Sequence, residues 1–485
     1  MTRASELGYD RLFIGGQWCD PSTSAVIEVH SPHDGRLIGS VPEASQGDVV
    51  RAVAAARQAM DAGVWALTPP EERQAVIRRF DELHHTRSAK FAALITAENG
   101  SPIWFTSMLQ DSLTNQTGAY LRAAGELGWE ERRPFPGGST DVVFRHEPVG
   151  VVAAVIPWNA PHQSALTKVV PALLAGNSVI LKLAPETALD GMALGDLLRE
   201  AGLPDDVFSV LPAGREVSEY LVSRSDVDKI AFTGSTAAGR KIGAIAGEQL
   251  KRVSLELGGK SASIVLPDAD LDGTVAGIKY AAFSNNGEAC IAHTRILLPR
   301  SRYAEFVDGL AEMTAGITVG DPSDPSTFVG PMVRADQRER VRGYIALGTA
   351  EGARLVVGGP DAPSDSGLQA GYYVRPTLFA EVDNGMRIAQ EEIFGPVIAA
   401  IPYTDEDDAV RIANDSPYGL GGGVWTADRD TGLAVARRIR TGTFSVNGAP
   451  RGFEAPFGGY KASGIGREYG TAGLTEFTEH KSVAV

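Results

Sequence analysis

Cys290, one of only two cysteines in the chain, sits in the run Asn285-Asn286-Gly287-Glu288-Ala289-Cys290-Ile291. As a thiolate it would be a nucleophile; as a buried thiol it would be an inert small hydrophobe. Asn159, in Pro157-Trp158-Asn159-Ala160-Pro161, follows an apolar run. An amide at a strand end could meet a ligand or simply make a turn between prolines. Glu256 closes the run Val253–Leu257 ahead of Gly258-Gly259. A carboxylate there either pairs with a lysine or has its pKa raised by burial into the range of a base. Thr233-Gly234-Ser235-Thr236 follows another run and could offer backbone N–H groups to a phosphate or cap a helix.

Other chemistries fail on spacing. Leu257-Gly258-Gly259-Lys260-Ser261 looks like the end of a phosphate loop, but the position of its first glycine is Ser254. There is no G-x-S-x-G elbow, His146-Glu147-Pro148 is not a zinc H-E-x-x-H, and no Cys/His cluster suits a metal. No clean G-x-G-x-x-G follows a strand, so a dinucleotide site would depart from the standard fingerprint.

The elements that must carry these residues alternate. Apolar runs at Val151–Ile156, Ser178–Lys182, Val207–Leu211, Lys229–Thr233 and Arg252–Leu257 are separated by helical spacing, as in Leu189–Gly202 and Ala237–Gly247. Strands this apolar need both faces covered, which predicts parallel βαβ units and an α/β fold. After Lys260 a second α/β pattern starts: Ala262–Leu266, the segment Ala269–Phe283, and Arg295–Pro299. Arg132–Val149 reads as a hairpin turning at Pro134–Gly138, Ser482–Val485 as an edge strand, and Gly358–Gly371 as an exposed loop.

With 485 residues, roughly three domains are expected. Hydrophobic residues at 43% and charged residues at 22% are ordinary for a soluble globular protein. The net charge of −15 argues against nucleic-acid binding, which needs a basic surface. The start, MTRASELGYD, lacks the apolar core of a secretory signal, and no run of about 20 apolar residues predicts a membrane span. Two cysteines make no disulfide framework. A cytoplasmic protein is expected.

Taken with Glu391-Glu392-Ile393-Phe394-Gly395-Pro396 and Pro456-Phe457-Gly458-Gly459-Tyr460-Lys461-Ala462-Ser463-Gly464, these segments resemble the aldehyde dehydrogenase superfamily, in its order, from Phe13 to Val485. The most specific block is Glu256-Leu257-Gly258-Gly259-Lys260, whose glutamate precedes Cys290 by 34 residues. The resemblance implies a hydrolytic, NAD(P)-dependent oxidation of an aldehyde to its acid. Cys290 would be the nucleophile, Asn159 and the Cys290 N–H the oxyanion donors, and Glu256 the base that activates water. For the cofactor it implies Ile156, Pro157, Trp158, Lys182, Gly234, Ser235, Gly239, Leu257, Glu392 and Phe394. Lys168 and Glu468 match a proton-relay or structural pair, and both are also explained as surface or packing residues.

The resemblance also implies a Rossmann-like parallel-sheet cofactor domain (1–131 and 150–258) and an α/β catalytic domain (259–450). A small β extension (132–149 and 471–485) would serve a homodimer or homotetramer, and 451–470 would return to the cofactor side. Two departures stand out. In Lys182-Leu183-Ala184-Pro185-Glu186 the acidic residue comes one position late, which weakens the case for NAD over NADP while leaving NAD favoured. The pocket has Thr167 where an aromatic is common, with His162 and Ser164 nearby and Phe457 and Phe453 as aromatic walls. His162 is read as a wall or surface histidine. Competing readings are a CoA-acylating enzyme, against which Glu256 argues, and a non-catalytic cofactor-binding relative.

Overall fold

Alternate residues of the strand Val151–Val155 belong to two different cores. Val152 and Ala154 pack with Val169 and Leu173 on one face; Val151, Ala153 and Val155 pack with Val49, Val53 and Ile242 on the other. Both faces are covered by helices, which is why the strand has no polar residue. The computed structural model in which this is seen describes residues 7–134, 137, 140–363 and 365–485.

Five parallel strands form the centre of an eight-stranded sheet, in the order Arg252–Glu256, Lys229–Thr233, Val151–Val155, Ser178–Leu183 and Phe208–Pro212. The expected α/β architecture is therefore observed, with strand ends differing by about a residue. The order reverses between Val151–Val155 and Lys229–Thr233, and ligands bind α/β sheets at the strand C-termini of such a switch point. Antiparallel pieces complete the edges. Leu12–Ile14 joins Phe208–Pro212, and Gly464–Ile465, from far along the chain, joins Leu255 and Glu256.

The second sheet has seven strands: Arg354–Val357, Thr377–Ala380, Val397–Tyr403, His293–Pro299, Ser261–Val265, Gly422–Trp425 and Ser445–Val446. All neighbours run parallel except the first pair. The segment Ala269–Phe283 is a helix from Leu271, capped by Asp270, whose carboxylate accepts from Gly273 N at 2.7 Å.

The tail departs from expectation. Instead of a short strand at Ser482–Val485, a helix Gly470–Thr475 precedes a strand Thr478–Ala484. That strand pairs antiparallel with Asp141–Pro148, which pairs in turn with Glu130–Pro134. Its polar side chains hide it from an apolar-run search. The turn expected at Pro134–Gly138 lies largely outside the described residues, as do the first six residues.

Arg295 ties the second sheet together. Its buried guanidinium donates to the carbonyls of Lys260 (3.0 Å), Ile412 (2.9 Å) and Ala413 (2.8 Å) and to Asn384 Oδ1 (3.0 Å). Burial lowers its pKa to about 10, so it stays charged at neutral pH. Arg295→Met leaves those acceptors buried without a donor and is expected to cost about 3 kcal/mol or more. A denaturant midpoint equal to the wild type would overturn this.

Candidate active site

The two sheets meet end to end with opposite polarity. Pro157–Asn159, Gly234-Ser235 and Glu256 follow strands of the first sheet, whereas Cys290 and the pair Glu392 and Phe394 precede strands of the second. Between them lies a cavity of about 1360 Å³. Asn159, Glu256 and Cys290 all line it.

Cys290 owes its place to an unusual turn. Asn285, Asn286 and Gly287 have φ of 53°, 61° and 71°, left-handed values that Asn and Gly tolerate best. Each asparagine is held by its side chain. Asn285 Nδ2 donates to the Asn159 carbonyl at 2.8 Å, and Asn286 Nδ2 donates to the carbonyls of Gly100 (3.0 Å) and Pro331 (2.9 Å). Asn159 Nδ2 donates to the Glu288 carbonyl at 2.9 Å. An amide nitrogen has two hydrogens, so the second is left for an oxygen in the cavity.

Glu256 is buried, and neither carboxylate oxygen has a hydrogen-bond partner among the described residues. Burial, and then the negative charge of Glu468, raise its pKa well above the usual carboxylate range. Glu468 is itself paired: Lys168 Nζ donates to Glu468 Oε1 at 2.6 Å and to Thr233 Oγ1 at 2.7 Å. The Cys290 thiol is pushed up to about 12, first by burial and then by Glu392, Glu256 and Glu468. Cys290 therefore rests as a thiol.

On the side of the first sheet, Ser235 caps the helix Thr236–Glu248 by accepting from Ala238 N, and the start of that helix opens on the cavity. The Glu392 carboxylate accepts from Gly259 N at 3.0 Å. Trp158 and Phe394 meet edge to face, centroids 5.5 Å apart at 85°. Lys182 is buried at a strand end with only a 3.5 Å contact to the Ala213 carbonyl, and burial lowers its pKa to about 8. An ammonium with spare donors, a helix N-terminus and an aromatic wall fit a dinucleotide.

Of the expected cofactor and pocket residues, Pro157, Trp158, Gly234, Ser235, Leu257, Glu392, Phe394 and Phe457 line the cavity. Six others do not. Ile156 is core, and Gly239 lets its helix approach the sheet, since a Cβ there would sit 2.4 Å from Leu257 Cδ2. Lys182 lies beneath the lining. His162 is a correction: it is neither wall nor surface but buried, 3.0 Å from His84 Nε2 and 3.2 Å from the Asp190 carbonyl, and burial lowers its pKa to about 4. Thr167 likewise points away, accepting from Gln116 Nε2 at 2.9 Å and donating to the Gln163 carbonyl at 2.6 Å. Phe453 stands behind Tyr469, edge on at 5.1 Å. The helix periodicity of Pro161–Leu174 turns His162 and Thr167 inward, a register that the strand-end argument ignores.

Tyr469, Arg334, Arg340 and Arg451 line the cavity without having been expected to. All lie outside the recognisable blocks, so no local signal marks them. Arg334 pairs with Glu186, the acidic residue that arrives one position late.

Comparison with known proteins agrees with this geometry. The sequence profile of the aldehyde dehydrogenase family matches residues 18–483. The chain is similar to a geranial dehydrogenase from Castellaniella defragrans, with 45% identity over 98% of this chain and 99% of that one. It is 38% identical to a betaine aldehyde dehydrogenase from Rhizobium etli, over 98% and 96% of the two chains. A crystal structure of a Mycobacterium tuberculosis aldehyde dehydrogenase complexed with NAD+ superposes with a TM-score of 0.96 at 48% identity, covering 99% and 98%.

The half-buried thiol carries a prediction. Alkylation of Cys290 by iodoacetamide in the cofactor-free protein, followed by peptide mass, should rise about tenfold per pH unit from roughly pH 7 to 10. Levelling off below about pH 9 would show a thiol far more acidic than this site produces.

Proposed function

The chain belongs to the aldehyde dehydrogenase family and oxidises an aldehyde to its carboxylic acid with a nicotinamide cofactor; from this premise we propose the roles of its residues. The observation that carries the assignment is the convergence of Cys290, Asn159 and Glu256 on one cavity. Cys290 Sγ attacks the aldehyde carbon while its proton passes to Glu256, whose unpartnered, burial-raised carboxylate is suited to take it. The carbonyl oxygen becomes an oxyanion held by the free Asn159 N–H and the Cys290 backbone N–H; one such donor contributes about 3–4 kcal/mol. A bound dinucleotide supplies the hydride acceptor that turns this adduct into a thioester on Cys290. Once Glu256 has passed the Cys290 proton to solvent, it takes a proton from the water that attacks the thioester and gives that proton to the departing Cys290 sulfur, so that the acid is released and the thiol restored.

NAD+ is the favoured cofactor. Glu186 lies close enough to Lys182 to raise its pKa, so a carboxylate is present where a 2′-phosphate would be repelled. NADP+ is the second choice, because Arg334 stands beside the same carboxylate. Lys182 would hold the ribose hydroxyls of either. Retention of Glu256 favours water over CoA as the acyl acceptor, and the assembled triad favours catalysis over a binding role alone.

The three-stranded sheet of Glu130–Pro134, Asp141–Pro148 and Thr478–Ala484 leaves two outer strand edges, and we assign it to contact between subunits of a homodimer or homotetramer. Both cysteines are free, and no described helix is long and apolar enough to cross a membrane. A reducing cytoplasm would keep Cys290 active.

Two experiments test the roles. Glu256→Gln should form reduced cofactor slowly, because Cys290 loses its proton acceptor, and then stall after about one per site, with steady turnover at least about a hundredfold slower; full turnover would remove Glu256 as the base. In the wild type, deacylation should rise with pH as Glu256 loses its proton, at a pH above the ordinary carboxylate value of about 4.3. Glu468→Gln removes a repelling charge and should move that rise to lower pH; a move upward would contradict the coupling. For the cofactor, Glu186→Ala frees Arg334 and should lower the NAD+/NADP+ ratio of kcat/KM at least about tenfold. An unchanged ratio would take Glu186 out of cofactor choice.

A further inference from the structure

Three arginines line the cavity, and two of them are occupied. Arg334 pairs with Glu186 and Asp336; Arg340 donates to the Glu392 carbonyl and lies over the Tyr344 ring. Arg451 has no carboxylate and no hydrogen-bond acceptor among the described residues. Its guanidinium carbon lies 4.8 Å from the centre of the Phe457 ring, which forms the wall of the cavity. That contact holds the group against the wall and leaves its N–H groups without a protein acceptor.

Arg451 shares the aromatic part of the cavity: it stands on Phe457, which packs with Tyr469, which packs with Tyr120 of the helix Ile103–Glu126. The loop that carries Arg451 is anchored. Asn447 Nδ2 donates to the Thr426 carbonyl at 2.8 Å, and Thr426 N donates back to Asn447 Oδ1 at 2.9 Å. Arg451 is exposed, so its guanidinium is solvated in the free protein; stacked on one wall of the cavity and without a protein partner among the described residues, it is open to an anion that arrives from outside. The charge of Arg451 and that of an ionised Cys290 also act on each other across the cavity.

We propose that Arg451 is a specificity residue that anchors a carboxylate at the far end of the aldehyde, so that the preferred substrates are linear aldehydes ending in a carboxylate. This rests on the aldehyde-oxidising role of the cavity given above. The wall on which the anchor stands is aromatic, through Phe457, Tyr469 and Phe105, and suits a chain of methylenes between the two ends. The same guanidinium repels a cationic aldehyde such as betaine aldehyde.

The test compares, under the same conditions, linear aldehydes ending in a carboxylate, the same chains ending in a methyl group, and betaine aldehyde, each with NAD+. Wild type, Arg451→Lys and Arg451→Met are assayed, with the thermal midpoint of each measured. The carboxylate-ended series is expected to exceed the methyl-ended series in kcat/KM by about tenfold to a hundredfold in the wild type. Arg451→Met should abolish that ratio through KM, Arg451→Lys should retain part of it, and betaine aldehyde should be the poorest wild-type substrate and improve in Arg451→Met. A wild-type preference for methyl-ended chains, or a ratio that Arg451→Met does not move while the fold is intact, overturns the anchor and leaves the oxidising role standing. Absence of turnover with every aldehyde overturns both.

Discussion

Gly259 passes so close to the nucleophile's backbone that a Cβ on it would lie 2.3 Å from the Cys290 carbonyl oxygen. Real side chains do not approach backbone oxygen at that distance, so only glycine allows the two segments to touch. The contact sits in the four-residue link between the strand ending at Glu256 and the strand beginning at Ser261. It therefore sets the spacing between Glu256 and Cys290. Neighbouring bonds hold the link from other sides: Ser463 Oγ donates to the Gly258 carbonyl at 2.7 Å, and Gly259 N donates to Glu392. One backbone approach thus brings together residues from four separate parts of the chain.

Electrostatics follow from that closeness. Three carboxylates, Glu392, Glu256 and Glu468, act on one half-buried thiol, and every one of them opposes its ionisation. The site stabilises the neutral thiol at rest and makes its activation depend on a proton acceptor. Burial and Glu468 together keep Glu256 basic, while the Lys168 ammonium offsets part of that repulsion. Lys168 bonds both Thr233 and Glu468, and the charges of the pair bear on Glu256 with opposite sign.

What the sequence made legible was uneven, for physical reasons. The buried parallel strands announce themselves, because a strand with both faces covered is mostly apolar, and wholly so at Val151–Val155. The rule that ligands meet α/β sheets at strand C-termini finds Asn159, Gly234 and Glu256. It misses the second half of the site, which stands before its strands, so Cys290, Glu392 and Phe394 were reached through resemblance. Polar strands and loops were the least legible. Thr478–Ala484 alternates charged residues and is set by its pairing partner. His162 and Thr167 lie close in sequence to Asn159, but helix register turns them into a polar core with His84 and Gln116.

The antiparallel pairing of Gly464–Ile465 with Leu255 and Glu256 has a consequence for how the enzyme comes into being. A ribosome adds residues one at a time at roughly 5–20 per second, and domains fold as they emerge. Cys290 is already made when the partner strand beside Glu256, and Glu468 with it, are still about 175 codons from translation. The last strand of the first sheet can be laid down only after that stretch has emerged. A nascent chain therefore carries Cys290 before it has the finished surroundings of Glu256.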